Sequence, residues 1–447
     1  MRNNINSPVL SITVTRNCNL NCSYCYFPNK GNKTITKDIV DTIIENYFAF
    51  FTNGINEVRF LLSGGEPLME KDLVFYIMEL ATLVANRHNK KISFTLDTNG
   101  VLLSNKIVDR LKPYDVYVMS SIDGKAETHN LQRPFTHTNS GSHEIIVKNV
   151  DYALKALGKN NVAVRFTVLP NGIENLYETF LYFYEMGFKI IDFAPNYEDE
   201  WSEKQMQTYK TEIYKISSFI LKNSIDNKLV NNYLQYHLGK TKQISAYGHL
   251  CGIIPTVDTN GDFYACHRFI DNDNFYLGDY KNFGTITSSI RSLSKQYIKY
   301  WNKYDYYALA SCPANNVCHE CGAFEVSDFF KNFIDIMMEQ TEKAIYNNAD
   351  CVFVEKIMDY TIHNEEETEE YVLVNNANGE YILMNETGNI LAQILQDNNS
   401  LSFEKLVEKF VELIEHDNSI DKEQIKKDIL VFLKELQNEK IITLSVK

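Results

Sequence analysis

Three cysteines within eight residues are the feature of this sequence with the clearest chemical meaning. Cys18, Cys22 and Cys25 follow directly after the strand-like run Val9–Thr15. Three thiolates can bind three irons of a cubic iron–sulfur cluster and leave the fourth iron without a protein ligand. A small molecule can bind at such an iron and receive an electron there. The spacing therefore predicts a cluster with an open corner. The alternatives are a zinc knuckle with a distant fourth ligand, or three buried thiols.

Short β-branched runs alternate with amphipathic stretches through the first 200 residues. The candidate strands are Leu10–Thr15, Val58–Leu62, Ile92–Leu96, Val116–Ser121, Val162–Val168 and Lys189–Phe193. The candidate helices are Lys37–Phe51, Lys71–Asn86, Ser104–Leu111, Glu144–Leu157 and Asn175–Glu185. Successive strand–helix units predict an α/β fold with a parallel sheet, either doubly wound or closed into a partial (β/α)6 barrel of the TIM type. In both folds, ligands bind at the carboxyl ends of the strands.

Polar and glycine-rich motifs follow the second, third and fourth predicted strands. They are Ser63-Gly64-Gly65-Glu66-Pro67, Asp97-Thr98-Asn99-Gly100 and Ser121-Ile122-Asp123-Gly124. Paired glycines let a backbone approach a ligand closely, although such glycines more often only form a turn. Glu66 could equally be a capping carboxylate, and Asn99 and Asp123 could be turn residues. Their joint occurrence at successive strand ends favours a binding site.

The cysteine spacing, with Tyr24 before the last cysteine, and the Gly-Gly-Glu-Pro segment resemble the radical S-adenosylmethionine superfamily. The stretch Ser121–Arg133 resembles its subgroup of sulfatase-maturing enzymes and peptide maturases. The resemblance implies a partial barrel over residues 1–200 and a [4Fe–4S] cluster on Cys18, Cys22 and Cys25. The cofactor-binding residues that it implies are Tyr24 at the adenine, Gly64, Gly65 and Glu66 at the methionine amino group, Ser121 and Asp123 at the ribose, and Arg133 at the carboxylate.

The same resemblance implies a reaction. A reduced cluster would split S-adenosylmethionine into methionine and a 5′-deoxyadenosyl radical, which removes a hydrogen atom from an unactivated C–H bond. No catalytic acid–base pair is expected among the side chains, and a flavodoxin or ferredoxin would supply the electron. Two side chains stay undecided. Tyr197 can line the adenine side, and Arg165 on the fifth strand can face into the barrel or away from it.

Six further cysteines lie beyond a bridging helical segment at residues 201–244. They are Cys251, Cys266, Cys312, Cys318, Cys321 and Cys351. Asn260-Gly261 predicts a hairpin turn that brings Cys251 and Cys266 together. The residues leave three interpretations open: scattered structural thiols, a zinc site around Cys318 and Cys321, or one or two iron–sulfur clusters.

Residues 245–362 resemble the cysteine-rich SPASM extension of radical enzymes that modify peptides, in which a cysteine lies five residues after a glycine, here Gly261 and Cys266. The resemblance implies auxiliary clusters, one on Cys251, Cys266 and Cys321 and one on Cys312, Cys318 and Cys351. That extension usually carries seven or eight cysteines, and Leu309 stands where one is expected. We therefore expect incomplete ligation, or one complete cluster and spare thiols. His267 stands where sulfatase-maturing members commonly have an aspartate base.

The last part of the chain is predicted to be a small separate domain, residues 371–447, after an acidic linker at 363–370. Its predicted elements are a hairpin of Tyr371–Asn375 and Glu380–Met384, helices at Glu386–Leu395, Ser402–Glu415 and Asp421–Gln437, and a strand at Ile441–Leu444. This order predicts a winged helix, and 13 acidic against 8 basic residues disfavour a DNA reader. The domain resembles the PqqD-like leader-recognition modules of peptide maturases. That resemblance implies a precursor peptide whose leader adds a strand at the hairpin edge. A dimerisation or packing module is the alternative.

Length and charge narrow the functional classes. The 447 residues, 44% hydrophobic, suffice for two or three domains, and a net charge of −14 disfavours nucleic-acid partners. No apolar run approaches the roughly 18 residues of a membrane span. The opening residues carry no apolar signal core. We expect a reducing, cytoplasmic location and no membrane partner.

Three functions follow from these patterns. The first is a radical maturase that removes a hydrogen atom from a ribosomally made precursor peptide and forms a thioether or carbon–carbon crosslink. The second is an anaerobic sulfatase-maturing enzyme that makes formylglycine, which the predicted leader domain disfavours. The third is a non-catalytic metal-binding protein, which Gly65, Ser121, Asp123 and Arg133 disfavour.

Overall fold

The computed structural model describes residues 9–223, 254–290 and 336–446, with short gaps at 26, 28–29, 197–198, 338, 346, 349–351, 357–359, 366–369, 377–380, 399, 415–421 and 439–441. The chain divides into two units, one of residues 1–201 and 248–330 and one of residues 202–247 and 331–447. In the described ranges, no helix is long and apolar enough to cross a lipid bilayer.

Six parallel strands with helices between them build the first unit. The strands are β1 (Val9–Thr15), β2 (Glu57–Gly64), β3 (Lys91–Thr98), β4 (Val116–Ser121), β5 (Val162–Val168) and β6 (Ile190–Pro195). The helices are α1 (Lys37–Phe51), α2 (Lys71–Arg87), α3 (Asn105–Leu111), α4 (Ala126–Gln132), α5 (His143–Leu157) and α6 (Leu176–Glu185). The six predicted strands are all present.

Strand order distinguishes the two predicted folds. Each strand lies beside its predecessor, in the order β6-β5-β4-β3-β2-β1, and the pairings are parallel. A doubly wound sheet would reverse direction at an internal strand. The unidirectional order confirms the partial barrel. One face of each strand packs on the helices, as where Phe60 of β2 contacts Tyr47 of α1 with ring centroids 5.4 Å apart. The other face lines the barrel interior.

A short hairpin extends this sheet beyond β1. Strand β7 (Thr256–Val257) pairs in parallel with β1, and β8 (Asp262–Tyr264) and β9 (Tyr276–Asp279) follow antiparallel. The predicted turn at Asn260-Gly261 is confirmed, and Gly261 has a φ of 89°, which favours glycine. The segment that contains Cys266 is therefore part of the same sheet as the barrel.

Arg16, at the end of β1, ties the barrel to this hairpin. Its Nε and Nη2 donate to the Asp258 carboxylate at 3.1 and 2.5 Å, and its Nη1 and Nη2 donate to Asp271 at 2.8 and 2.7 Å. The side chains of Arg16 and Asp258 are only 6% and 2% exposed. A buried charge needs such partners, because burial removes its hydration.

The second unit contains helix α7 (Glu203–Lys222) and the C-terminal residues. Its strands are β10 (Val352–Lys356), β11 (Tyr360–Glu365), β12 (Glu370–Asn375), β13 (Tyr381–Met384), β14 (Ser400–Ser402) and β15 (Ile442–Val446). Its C-terminal helices are α8 (Glu386–Asp397), α9 (Phe403–Ile414) and α10 (Lys422–Asn438). One apolar core joins these elements and includes Leu221 of α7. The predicted hairpin, three helices and last strand are all present.

Two boundaries differ from the prediction. Residues 363–365, predicted to begin an acidic linker, belong to β11, which pairs antiparallel with β12 from Tyr360 to Glu365. Backbone pairing and the buried Tyr360 outweigh the acidic composition there. Strand β10, predicted to lie in the cysteine-rich domain, pairs with β14 and β15 of the C-terminal domain. Sequence composition does not reveal such pairings, because the partners lie far along the chain.

Arg16→Gln should destabilise the first unit by roughly 3–5 kcal/mol, because it leaves the Asp258 carboxylate buried without its cation. Urea unfolding followed by circular dichroism measures the change. Arg87→Gln is the matched control, since Arg87 pairs with Glu45 on the surface, where its side chain is 53% exposed. That variant should lose less than about 1 kcal/mol. Equal losses in the two variants would contradict a structural role for the buried pair.

Candidate active site

The cysteine loop follows β1 and is held from two sides. On one side, the backbone N–H groups of Gly65 and Glu66 donate to the carbonyl oxygens of Thr15 and Asn17, both at 2.8 Å. These bonds join the loop after β2 to the start of the cysteine loop. The two segments that the sequence predicted to lie together are therefore in direct backbone contact.

On the other side, the loop pairs with the segment that follows α4. Asn21 N–H donates to the Pro134 carbonyl at 2.9 Å, and Ser23 N–H donates to the Gln132 carbonyl at 3.0 Å. Leu20 also forms an isolated antiparallel bridge with Phe135. Main-chain hydrogen bonds thus fix the cysteine loop on both sides. These bonds use backbone groups, so the cysteine thiols stay available for other contacts.

The three thiols lie at this clamped loop with different exposure. Cys18 and Cys22 are half-buried and Cys25 is exposed. Burial raises the pKa of Cys18 to about 11, and burial also raises the pKa of Cys22. Without a cation the thiol form is therefore favoured, and a bound metal would reverse this by stabilising the thiolate. A soft, thiolate-only donor set of this kind suits an iron–sulfur cluster.

Two other side chains point polar hydrogens at these sulfurs. Asn99 Nδ2 lies 3.9 Å from Cys18 Sγ and also donates to Asn19 Oδ1 at 2.7 Å. Arg133 Nη1 lies 3.9 Å from Cys22 Sγ. In the described part of the chain, no three His, Cys, Asp or Glu side chains form a group that could hold a metal ion. The assignment of the cysteines as ligands stays a prediction.

Glu66 is fully buried and bonded to the protein. Its carboxylate accepts from Thr98 Oγ1 at 2.7 Å, from Asn99 N at 2.7 Å and from Leu68 N at 3.0 Å. Burial raises its pKa to about 7, while these donors act in the opposite direction. Glu66 thus caps the short 3-10 helix Pro67–Glu70 and joins the loops after β2 and β3. This matches the capping alternative; a cofactor contact stays a prediction.

Gly65 is needed for close backbone packing. A Cβ at this position would lie 2.2 Å from the Asn17 carbonyl oxygen and 2.9 Å from that of Arg16. The backbone that approaches Gly65 is therefore the cysteine loop of the same chain. Gly64, with a φ of 133°, has a comparable constraint against the Thr15 carbonyl oxygen. The sequence predicted that a ligand approaches these glycines. The structure shows the chain's own backbone there, and the cofactor contact stays a prediction.

Asp123 and Arg133 form an ion pair below the cysteine loop. Arg133 Nε and Nη2 donate to Asp123 at 2.8 and 3.2 Å, the Tyr24 hydroxyl makes a short hydrogen bond to the same carboxylate, and Thr167 N donates to it at 3.1 Å. Burial opposes the charge of Arg133, but Asp123 outweighs it and holds the pKa of Arg133 well above its usual value. Three predicted cofactor residues thus contact one another.

His129 was not assigned from the sequence, and the structure places it at the centre of this support. Its Nδ1 accepts from Asp123 N at 3.1 Å, so Nε2 carries the proton and bonds the Ser142 hydroxyl at 3.0 Å. Ser142 Oγ in turn donates to the Arg133 carbonyl at 2.7 Å. Burial lowers the pKa of His129 to about 3, which keeps the ring neutral. A histidine in a helical pattern gives no sequence signal for this role.

Arg165 faces the barrel interior, which decides the orientation that the sequence left open. It lies in register with Ser121 of β4 and Asp192 of β6. Its Nε and Nη2 donate to Asp192 Oδ2 at 2.8 and 2.6 Å. Ser121 therefore lies next to a charged pair, and its predicted ribose contact stays a prediction. Tyr197 lies outside the described residues.

Of the six distal cysteines, Cys266 is the one that the structure describes. The other five, Cys251, Cys312, Cys318, Cys321 and Cys351, lie outside the described residues, so the two predicted groupings stay predictions. Cys266 Sγ lies 3.7 Å from His267 Nδ1. Burial lowers the pKa of His267 to about 3, and the nearby charges of Arg268 and Arg165 act in the same direction. His267 is therefore neutral.

Comparison with known protein families gives two matches. Residues 12–182 match the model of the Radical SAM superfamily, and residues 370–442 match that of coenzyme PQQ synthesis protein D (PqqD). The first match covers the barrel and the clamped cysteine loop. The second covers the strands and helices from β12 to α10.

Individual relatives agree with the first match. The chain is 29% identical to a probable GTP 3′,8-cyclase of Methanococcus aeolicus over 51% of this chain and 70% of the relative. It is 25% identical to the cysteine-type anaerobic sulfatase-maturating enzyme of Clostridium perfringens over 71% of this chain and 88% of the relative. A solved structure of native anSMEcpe with bound AdoMet aligns with a TM-score of 0.54 and 20% identity, over 61% of this chain and 78% of the other. That alignment supports the fold.

Gly65→Ala should displace the cysteine loop, because the added Cβ meets backbone atoms that cannot rotate away. We expect the iron content per chain after anaerobic reconstitution to fall by up to about four irons, the content of one cubic cluster, with an earlier melting transition. Gly172→Ala is the control, since a Cβ there meets nothing within 4 Å. Full iron content in Gly65→Ala would show that the loop tolerates the shift and that the close packing is not needed.

Proposed function

Residues 12–182 form a radical SAM domain and residues 370–442 a PqqD-type domain, and from this premise we propose that the enzyme modifies a ribosomally made precursor peptide by hydrogen-atom abstraction. The observation that carries the proposal is the coexistence in one chain of these two domains. The product is a thioether or carbon–carbon crosslink within the peptide. A non-catalytic metal-binding role does not account for a radical SAM domain.

The clamped cysteine loop supplies the ligands of the proposed [4Fe–4S] cluster. Cys18, Cys22 and Cys25 hold three irons, and the fit is supported by their soft donor set and by the polar hydrogens of Asn99 and Arg133 near two of the sulfurs. When bound, the cluster and S-adenosylmethionine supply a 5′-deoxyadenosyl radical. A flavodoxin or ferredoxin is the proposed electron donor.

The protein's own contribution at this site is binding and orientation. Tyr24, Gly64, Gly65, Glu66, Ser121, Asp123 and Arg133 are the proposed cofactor residues. Glu66 contributes by holding the loop after β3 against the cysteine loop. Asp123 contributes by fixing the Arg133 guanidinium, which lies 5.3 Å from the Tyr24 ring centre. A guanidinium fixed in this way loses little side-chain conformational entropy when it binds a carboxylate.

Auxiliary iron–sulfur clusters are proposed for the distal cysteines, with Cys251, Cys266 and Cys321 in one group and Cys312, Cys318 and Cys351 in the other. Support comes from Cys266, which follows a hairpin paired directly to β1. This connection fixes the main chain just before Cys266 relative to the barrel. An auxiliary cluster would accept the electron that is released when a substrate radical is oxidised to product.

A groove in the C-terminal domain is the proposed site of the leader peptide. Strand β13 lies at the edge of the sheet β11-β12-β13. Beside it lies a cavity of about 280 Å³, lined by Leu383 and Met384 of β13 and by Val431 and Phe432 of α10. An edge strand offers unpaired main-chain groups, and the apolar side chains offer pockets, which together suit an added peptide strand.

A second function, oxidation of a cysteine or serine in a sulfatase to formylglycine, is favoured by the similarity to the Clostridium perfringens enzyme over 88% of its length. His267 argues against it, because this neutral imidazole stands where that group commonly has an aspartate. The two functions predict different substrates, so one mass measurement separates them.

The triple variant Cys18→Ala/Cys22→Ala/Cys25→Ala should keep its fold but form no 5′-deoxyadenosine with S-adenosylmethionine and reductant, because no thiolate remains at the loop. The assay runs anaerobically with a short peptide encoded beside the gene, and both the nucleoside and the peptide mass are measured. The unaltered enzyme should lower the mass of the peptide by about two mass units, as expected for a crosslink formed by loss of two hydrogen atoms.

Cys266→Ala is the comparison for this experiment. It should retain 5′-deoxyadenosine formation and lose the crosslinked product, because only an auxiliary cluster is affected. Nucleoside formation by the triple variant would refute the ligand assignment. Modification of a sulfatase-derived cysteine peptide, with the precursor peptide left unchanged, would favour the second function.

Leu383→Asp and Val431→Asp should each weaken binding of a labelled leader peptide at least about tenfold, because a charge in the groove must be desolvated when the peptide binds. Fluorescence anisotropy measures the dissociation constant. Leu413→Asp on α9 is the matched control: Leu413 is 64% exposed, similar to Leu383 at 57% and Val431 at 55%, but it does not line the groove. Equal affinity of all three variants would exclude the groove as the leader site.

A further inference from the structure

The inner face of the barrel carries a polar row across three adjacent strands. Thr13 of β1 is in register with Ser63 of β2. The pairing of Leu62 with Leu96 places Ser63 beside Asp97 of β3 in the same way. Side chains in register on neighbouring strands lie about 4.8 Å apart. Thr13, Ser63 and Asp97 therefore form a continuous row, here called the polar row, one or two residues before the strand ends.

The polar row contains groups without a protein partner. Within the described residues, the Asp97 carboxylate makes no hydrogen bond or ion pair, and the residue is only partly buried. The Thr13 hydroxyl is fully buried and has no partner, and the same holds for the Ser11 hydroxyl one layer deeper. Buried polar groups in proteins are nearly always bonded, so a group of unbonded ones calls for a ligand.

The neighbouring cations are already engaged. Arg133 is bonded to Asp123, and Arg165 to Asp192. Arg59, also on the inner face, lies deeper in the barrel, level with Ser93, whose hydroxyl accepts from its Nε at 3.3 Å. The first two pairs are each neutral in sum and the third cation is bonded to a hydroxyl deeper in the barrel, so within the described residues Asp97 has no cation paired directly with it.

Burial and the neighbouring charges act on Asp97 in opposite directions. Burial raises the pKa of Asp97, Arg165 and Arg133 act to lower it, and Asp192 acts to raise it. The carboxylate is thus partly desolvated and lies near cations that are bonded to other carboxylates. A ligand with positive charge would be stabilised there, because its attraction to the carboxylate is screened little.

The depth of Asp97 points to the substrate. Asp97 is in register with Met119, two residues before Ser121 on β4. Inward-facing side chains alternate along a strand, so Asp97 lies one layer deeper than the proposed ribose contact. A group that reaches Asp97 must therefore enter the barrel below the layer of Ser121.

We propose that the polar row binds an ammonium or guanidinium group, and that the source of this group is a basic residue of the peptide substrate. A carboxylate at the end of a row of hydroxyl oxygens, with Ser63 beside it and Thr13 next in line, offers several acceptors to a cation that carries several N–H donors. The assignment of the source to a peptide rests on the proposed function. Asp97 is thereby a specificity-determining residue, and it selects peptides with a lysine, an arginine or a free α-amino group near the reacting carbon.

The first test uses Asp97→Asn, which keeps the shape and removes the charge, and the small probes n-butylammonium and n-butanol. Isothermal titration calorimetry on the reconstituted enzyme should show n-butylammonium binding at least about tenfold weaker in the variant. Binding of n-butanol should be the same in both proteins. Equal binding of n-butylammonium to both proteins would overturn the proposal, whatever the peptide assay gives.

The second measurement separates the two sources of an ammonium group. The dissociation constant of S-adenosylmethionine should change less than about twofold in Asp97→Asn, and 5′-deoxyadenosine should still form. A tenfold weaker binding of S-adenosylmethionine would assign the site to the amino group of the cofactor and overturn the substrate assignment.

The third measurement uses the precursor peptide encoded beside the gene, with each Lys and Arg replaced by Gln in turn. One replacement should lower kcat/KM at least about tenfold with the unaltered enzyme. It should have little further effect with Asp97→Asn, since the change in the peptide and the change in the enzyme remove the same interaction. Independent effects of the two changes would contradict the proposal. If the unaltered enzyme modifies no peptide, the proposed function fails, and the n-butylammonium result still decides the charge of the ligand.

Stability provides the control for folding. Asp97→Asn should melt no lower than the unaltered protein, because no protein contact is lost and a desolvated charge is removed. Asp192→Asn, which breaks the pair with Arg165, should melt earlier. A lower melting temperature for Asp97→Asn would show that the carboxylate has a structural partner, and would count against a ligand site.

Discussion

The close contact between two backbones, Gly65 against Arg16 and Asn17, is the constraint on which the rest of the site depends. It places the loop after β2 directly on the cysteine loop, and the segment after α4 completes the clamp from the other side. Backbone hydrogen bonds do not depend on rotamers, so the main-chain positions of the cysteines are set by the neighbouring strands and loops. A cluster held by three thiolates needs such fixation, since its fourth iron has no protein ligand to help hold it.

Paired charges support this clamp from below. Asp123 with Arg133, Arg165 with Asp192, and Arg16 with Asp258 and Asp271 each bury at least part of a carboxylate against a guanidinium. Such pairs are expensive to desolvate and add little net stability, but they restrict geometry because a guanidinium fork fits a carboxylate in few orientations. Several carboxylate–guanidinium pairs thus hold this end of the barrel in place. The neutral ring of His129 fixes the pair of Asp123 and Arg133.

Local sequence pattern predicted the strands and helices well, because alternation and amphipathic periodicity are properties of a few neighbouring residues. It also predicted which loops gather at one end of the barrel. It did not predict what the side chains in those loops contact. Arg133 and Cys22 are 111 residues apart, and Arg16 and Asp258 are 242 residues apart. Strand β10 was assigned to the cysteine-rich domain for the same reason, because its partners β14 and β15 lie far along the chain. His129 and β11 were missed for another reason. The partners of His129 are only 6 and 13 residues away and β11 pairs with the next strand, but a single histidine and an acidic run carry no local pattern that predicts these contacts.

Two carboxylates near the same strand ends show how environment divides structural from binding roles. Glu66 and Asp97 both have a pKa raised by burial. Glu66 has three protein donors, so its charge is used to join two loops. Asp97 has none among the described residues, and the nearby arginines are bound to other carboxylates. A buried charge persists in a fold only if something compensates it. For Glu66 the compensation is visible within the chain. For Asp97, Arg165 and Arg133 act only from a distance, and we infer that a molecule entering the barrel completes the compensation.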